Sequence, residues 1–221
     1  MAKPRTYKLL CPIARALDRI GDRWTLLILR DLHAGPARFS DLQRGLTGIA
    51  ANLLTERLAK LVGDGLASKA DAGHGATVYE LTDHGKRTAD IILELAMFGA
   101  QFEPEGEVVP PGNLRTVATT MGVAANRAAL PAMSFDAAFV VDDEQMHLKV
   151  KGGSAEMTYE ACRNPDLIFS TSYAALLDVT EGKLDPMSFI SHHSTIQTSS
   201  PTKQAEFFEL MSGIVAVLGR T

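Results

Sequence analysis

Between Glu103 and Gly112 the chain reads Glu-Pro-Glu-Gly-Glu-Val-Val-Pro-Pro-Gly. Three prolines, two glycines and three acids in ten residues cannot continue a helix or run through the centre of a sheet. The segment therefore divides the 221 residues into two bodies, each long enough to bury its own core. The predicted organisation is a domain over 1–103, a linker over 104–112 and a second domain over 113–221.

Charge divides at nearly the same place. Through residue 90 there are 14 Lys and Arg against 10 Asp and Glu; from residue 91 onward there are 8 against 16. A head of +4 on a body of −8 fits a nucleic-acid-binding domain joined to one that binds something else. The overall −4 hides this split. No apolar run approaches the ~20 residues of a membrane span. The N-terminal Met-Ala-Lys-Pro-Arg-Thr-Tyr-Lys-Leu-Leu is too short and too broken for a secretory signal. These features predict a cytoplasmic protein with no membrane partner. Two cysteines, Cys11 and Cys162, are too few for a disulfide framework or a four-cysteine metal site.

The first domain reads as helices followed by a hairpin. Pro12 stands where a helix can begin, and Ile13, Leu17 and Ile20 recur at helical spacing. Trp24, Leu27, Ile28 and Leu32 form a second amphipathic face, closed by Gly35-Pro36. Ser40 is the expected N-cap of a short third helix carrying Leu42, and Thr47-Gly48 makes a tight turn. A fourth helix from Ile49 to Val62 is stopped by Gly63-Asp64-Gly65. Two alternating segments, 66–70 and 77–82, flank a glycine-rich loop and predict a hairpin. Thr82-Asp83 caps a long last helix carrying Ile91, Ile92, Leu95 and Phe98.

A helix, a short glycine-containing turn, a second helix with a polar free face and then a hairpin make a winged helix-turn-helix. The DNA major groove admits one helix, so the entering helix must be polar on its exposed side. On the fourth helix Leu54, Leu58 and Leu61 take the core side. The remaining face offers Ala50, Ala51, Asn52, Thr55, Glu56 and Lys60. Asparagine can pair bidentately with adenine, and alanine or threonine methyls suit the thymine methyl. Arg38, Ser40 and Arg44, with Lys69, His74 and Thr77 on the wing, are placed to bond phosphates and so to position the domain without reading sequence.

In the second domain a helix over 114–129 leads into strands near 135–141, 145–150, 156–159 and 166–171. A helix near 173–180, a short strand near 194–197 and a final helix from Thr202 follow. The expected fold class is α+β, with one antiparallel sheet packed by helices.

Cys11-Pro12, Gly21-Asp-Arg-Trp24, Arg38-Phe-Ser-Asp-Leu42, Gly48-Ile49, Leu54-Thr-Glu-Arg-Leu58, Asp64-Gly65-Leu66 and Tyr79-Glu-Leu-Thr-Asp-His-Gly85 closely resemble the HxlR family of winged-helix regulators over about residues 10–100. The resemblance implies a homodimer built largely by the first and last helices of this domain. One recognition helix would serve each half of a palindromic double-stranded operator. Two departures stand out: the common serine or threonine opening the recognition helix is Ala50, and the wing lacks its frequent proline.

Over 114–218, Gly152-Gly153, Pro165-Asp166 with the alternating strand after it, Leu176-Leu177 and Glu181-Gly-Lys-Leu-Asp-Pro186 resemble the sterol carrier protein type-2 domain. That resemblance implies an apolar cavity between sheet and helices for a small apolar ligand. Met133, Phe135, Phe139, Met146, Met157, Phe169, Met187, Phe189, Phe207, Phe208 and Met211 are its candidate lining, and equally the candidate core.

Cys11 has two readings. It is a redox or electrophile sensor as in some HxlR members, where a helix N-terminus would favour the thiolate, or it is a small residue packing the first helix. His192-His193, placed on a strand, would point to opposite faces and not chelate one ion. No phosphate loop, catalytic constellation or metal ligand set is evident, so neither cofactor nor catalysis is expected. The reading is a dimeric DNA-binding regulator with a small apolar effector. Its alternatives are a thiol switch at Cys11, or a lipid carrier whose helix-turn-helix is idle.

Overall fold

The computed structural model describes residues 6–73, 75–103, 106, 109, 111–180 and 182–219. It divides into two compact units, Met1–Ala89 with Val109–Gly112, and Asp90–Val108 with Asn113–Thr221.

In the first unit α1 (Pro12–Ile20) starts with Pro12 in its first turn and Cys11 as N-cap. α2 (Thr25–His33), α3 (Phe39–Gly45) and α4 (Ala51–Gly63) follow. Ile28, Leu29, Leu32, Leu42, Leu54 and Leu58 meet as a fully buried core. Between α3 and α4 the chain turns at Gly48, whose φ of 92° is a left-handed conformation that glycine adopts without cost. β1 (Ala67–Asp71) and β2 (Thr77–Leu81) pair antiparallel as the wing. Ala37 bridges Tyr79 by mutual backbone hydrogen bonds of 2.9 and 2.8 Å, tying the chain just before α3 to the wing.

Two local expectations are corrected here. Ser40 does not cap α3: the N-cap is Arg38, and Asp41 Oδ2 accepts the Arg38 amide at 3.2 Å. The long last helix is broken into α5 (Asp83–Lys86) and α6 (Ala89–Gly99). Thr82 caps α5 as expected, accepting the Gly85 amide. At the break the Thr88 hydroxyl donates to the Gly85 carbonyl at 2.7 Å and lies 2.9 Å from His33 Nε2. Local side-chain bonding of this kind competes with helix propagation.

The second unit contains α6, α7 (Arg115–Ala128) and a five-stranded sheet of β3 (Ser134–Val141), β4 (Glu144–Lys151), β5 (Ser154–Thr158), β6 (Leu167–Thr171) and β7 (Ser194–Gln197). The strand order is β5-β4-β3-β6-β7. The expectation of a purely antiparallel sheet is corrected: β6 runs parallel to β3, so the sheet is mixed. The connection over 159–166 carries the chain back to the start of β3 before β6 begins, and a crossover of that kind makes a parallel neighbour. α8 (Tyr173–Thr180), α9 (Pro186–His192) and α10 (Pro201–Leu218) complete the unit. α9 was not foreseen. His192 ends it and His193 is its C-cap, so the pair does not lie on a strand.

Register explains the core. Phe139 pairs with Met146 on one side and Phe169 on the other, and Ala137 with Leu148 and Leu167, so all six side chains fall on one face. Phe207 of α10 packs on that face, 5.4 Å from the Phe169 ring and 6.1 Å from Phe135. α7 reaches the sheet through small residues. A Cβ on Gly122 would stand 2.9 Å from Met157 Cβ, so only glycine allows this approach. Among the described residues no helix is long and apolar enough to cross a membrane.

Candidate nucleic-acid interface

α4 buries Leu54, Leu58 and Leu61 and leaves Ala51, Asn52, Thr55 and Glu56 exposed, with Ala50 exposed as N-cap. The helical period alone produces this split. As the alanine suggests, no side chain caps the first turn of α4. The free amides there remain available to an acceptor such as a phosphate. Thr55 Oγ1 donates to the Ala51 carbonyl at 2.9 Å, which fixes its rotamer and leaves its methyl and lone pairs outward. Glu56 accepts from Arg57 Nη1 at 2.9 Å.

Arg38, Ser40 and Arg44 are exposed on and before α3. Arg44 pairs with Asp41 at 3.2 Å in the open, a contact that a phosphate could replace at little cost. Lys69 and Thr77 are exposed on the wing, Lys69 with its ammonium 5.7 Å from the Tyr79 ring. His74 lies outside the described residues. Thr47, read from sequence only as part of the turn, is exposed there, as is Gln43 on α3.

Lys60 is a correction. Its ammonium donates to the Asp18 and Arg19 carbonyls at 3.2 and 2.6 Å and pairs with Asp64 at 3.0 Å. It satisfies the orphan carbonyls at the end of α1 and complements that helix's negative end, and is therefore not a free DNA ligand.

A second cation, Arg57, braces α4. Its guanidinium lies 3.0 Å from Asp22 Oδ1. That carboxylate also accepts the Trp24 and Thr25 amides, each at 3.1 Å, and the Thr25 hydroxyl. Burial pushes the Asp22 carboxyl up, but the Thr25 and Trp24 hydrogen bonds and the Arg57 charge together outweigh it and hold the group below its ordinary value. The sequence carried half of this signal, an acid three residues before a helix-starting threonine. The partner 35 positions away had none.

In the second unit α7, α8, α9 and α10 line a half-open cavity of about 270 Å³. α7 contributes Thr116, Val117, Thr120 and Met121, α8 contributes Tyr173 and Leu176, and α10 contributes Ile214 and Val215. Of the side chains expected to line a pocket, Phe189 and Met211 do so. Met133, Phe135, Phe139, Met146, Met157, Phe169 and Phe207 are instead buried core. Met187 is 66% exposed and, with Phe208, borders a separate cavity. The correction has a simple reason. The sheet's inner face is already filled by the aromatic residues that interlock there, and this cavity opens instead where helix packs on helix. Burial, followed by the nearby Asp136, Asp166 and Glu160 carboxylates, pushes the Cys162 thiol up. Cys11 is exposed.

The profile of the HxlR-like helix-turn-helix family matches residues 19–107. An uncharacterised HTH-type transcriptional regulator of Mycobacterium tuberculosis is 38% identical over 105 residues, which is 47% of this chain and 65% of that protein. The chain thus spans about two thirds of the length of its mycobacterial relatives. The HTH-type transcriptional regulator YvaP of Bacillus subtilis, likewise uncharacterised, is 33% identical over 97 residues, 42% of this chain and 89% of its own length. Among solved structures, the redox regulator HypR in its oxidised form is 26% identical and covers 42% of this chain and 99% of its own, with a TM-score of 0.41.

Proposed function

The chain belongs to the HxlR-like helix-turn-helix family, and on that premise we propose that it is a transcriptional regulator that binds a palindromic double-stranded DNA operator as a homodimer. The observation that carries the reading is the exposed face of α4. Ala50, Ala51, Asn52, Thr55 and Glu56 stand clear of the core, with Arg38, Ser40 and Arg44 exposed around α3 and Lys69 and Thr77 on the wing. The arrangement divides labour between base edges and phosphates as helix-turn-helix recognition requires.

Two apolar stripes support the homodimer. Ile13 and Leu17 recur along α1 with Leu10 just before it, Leu10 being 97% and Ile13 71% exposed. Ile91, Leu95, Phe98 and Phe102 do the same along and just beyond α6. Exposed apolar stripes at helical spacing are what a helix–helix interface between copies would cover.

The domain over 113–221 is proposed to share the sterol-carrier-like fold and to hold a small apolar effector in the helix-lined cavity. Such a ligand regulates only if its affinity differs between the DNA-competent and DNA-incompetent arrangements. The boundary at 104–112 is part of the same proposal.

Gel shifts on the native operator test the DNA reading. Asn52→Ala and Thr55→Ala lose about 1–3 kcal/mol of sequence preference per base contact, whereas Arg38→Ala weakens binding to every sequence and lowers the salt slope by about one unit. Unchanged binding in all three variants removes α4 from the interface. A second reading, a thiol switch, is favoured by the exposure of Cys11 at the N-terminal end of α1. Diamide that releases the wild type from DNA, and not Cys11→Ser, establishes it; equal behaviour of the two proteins rejects it.

A further inference from the structure

The effector cavity has a chemical bias beyond being apolar. Among the described residues, no acidic or basic side chain lines it. Ile190 in its wall also borders the second cavity, about 490 Å³, where Ser191, Gln204 and Ser212 are polar but equally uncharged. The lining residues with a polar side-chain group are Thr116, Thr120 and Tyr173, each carrying one hydroxyl. Thr116 and Thr120 stand one turn apart on the same side of α7, and Tyr173 lines the cavity from the start of α8. Burial raises the Tyr173 phenol above its ordinary value, so it stays a neutral donor near neutral pH.

Resting on the effector reading above, we infer that the cavity selects a neutral amphiphile: an apolar body carrying one uncharged hydroxyl or carbonyl oxygen, which the Thr116, Thr120 and Tyr173 hydroxyls hydrogen-bond. A carboxylate or ammonium entering the same space gives up its hydration without meeting a counter-charge, which is far more costly than burying a hydrogen-bonded alcohol. Hydroxyls can both donate and accept, so alcohols and ketones are both served. Size follows from volume. A cavity of roughly 150 Å³ takes benzene, so 270 Å³ takes a body of about ten carbons.

The test uses the full chain and the neutral apolar fluorophore N-phenyl-1-naphthylamine, displaced near neutral pH by 1-decanol, 2-decanone, decanoate or decylammonium. The alcohol and ketone should displace it at concentrations roughly tenfold or more below those of the two ions, reflecting the desolvation difference. Thr120→Val and Tyr173→Phe should weaken decanol several-fold more than they weaken the fluorophore. Decanoate or decylammonium competing as well as decanol overturns the inference, as does decanol binding that is indifferent to both hydroxyl deletions. Val117→Trp, with its fold checked by circular dichroism, separates this from the underlying reading. If it abolishes fluorophore binding while head groups are not discriminated, only the neutral-ligand inference fails. If the wild type binds no fluorophore, or Val117→Trp binds it as well as the wild type, the effector cavity itself is rejected and the inference with it.

Discussion

His33 gives the sharpest quantitative test of the first unit. It ends α2, where the helix dipole would favour a cation. Burial, reinforced by the Lys86 charge, nevertheless drives its pKa down from 6.5 to about 4. Its tautomer follows from the hydrogen bonds. The single Thr88 hydroxyl proton goes to the Gly85 carbonyl, so His33 Nε2 must donate to Thr88 Oγ1 at 2.9 Å. Between pH 4 and 6.5 the unfolded chain therefore carries a proton on His33 that the native one does not. The resulting stability is complete above about pH 6.5 and is lost as the pH falls towards 4. At 1.36 kcal/mol per unit, the loss is about 2 kcal/mol at pH 5 and about 3 kcal/mol at pH 4. His33→Gln keeps a donor for Thr88 and removes the titration. Urea unfolding followed by the fluorescence of Trp24, the single tryptophan and in the same unit, measures both proteins. From about pH 7.5 to about pH 5 the wild type should lose about 2 kcal/mol more than the variant, close to 1 M in urea midpoint. Parallel pH profiles would refute a neutral buried imidazole. Acids such as Asp22 titrate alike in both proteins and cancel in the comparison.

Other perturbations separate structural from DNA-facing roles. Lys60→Met should cost about 1–2 kcal/mol in urea unfolding, because it frees carbonyls at the end of α1, while leaving the salt slope of DNA binding unchanged. A reduced slope would return Lys60 to the DNA-facing set. Gly122→Val should lower the stability of the second unit by about 2 kcal/mol, since its first carbon already meets Met157; a neutral calorimetric result would show that α7 can draw back from β5. Ile13→Asp or Phe98→Asp should shift the protein from dimer to monomer in light scattering. A dimer unaffected by both would place the interface elsewhere.

What the sequence determined by itself was local. Pro12 opened α1, Thr82 capped α5, Gly48 made the turn, and the 3.6-residue period separated Leu54, Leu58 and Leu61 from the exposed face of α4. Alternation likewise placed most strands of the second unit to within a residue or two. Each of these rests on sterics or periodicity among neighbours only a few residues apart. Only tertiary structure decided the rest. Lys60 has the composition of a DNA contact, yet it goes to carbonyls about forty residues earlier in the chain. The predicted long helix breaks at Thr88, where a histidine 55 residues away lies within hydrogen-bonding distance. Methionine and phenylalanine mark apolar space equally well whether it is filled or empty. Their identity could not tell that Phe139, Phe169 and Phe207 interlock on the sheet while the cavity opens beside the hydroxyls of α7. Partners distant in sequence leave no local trace, because the chain between them sets neither their direction nor their separation until the core has closed.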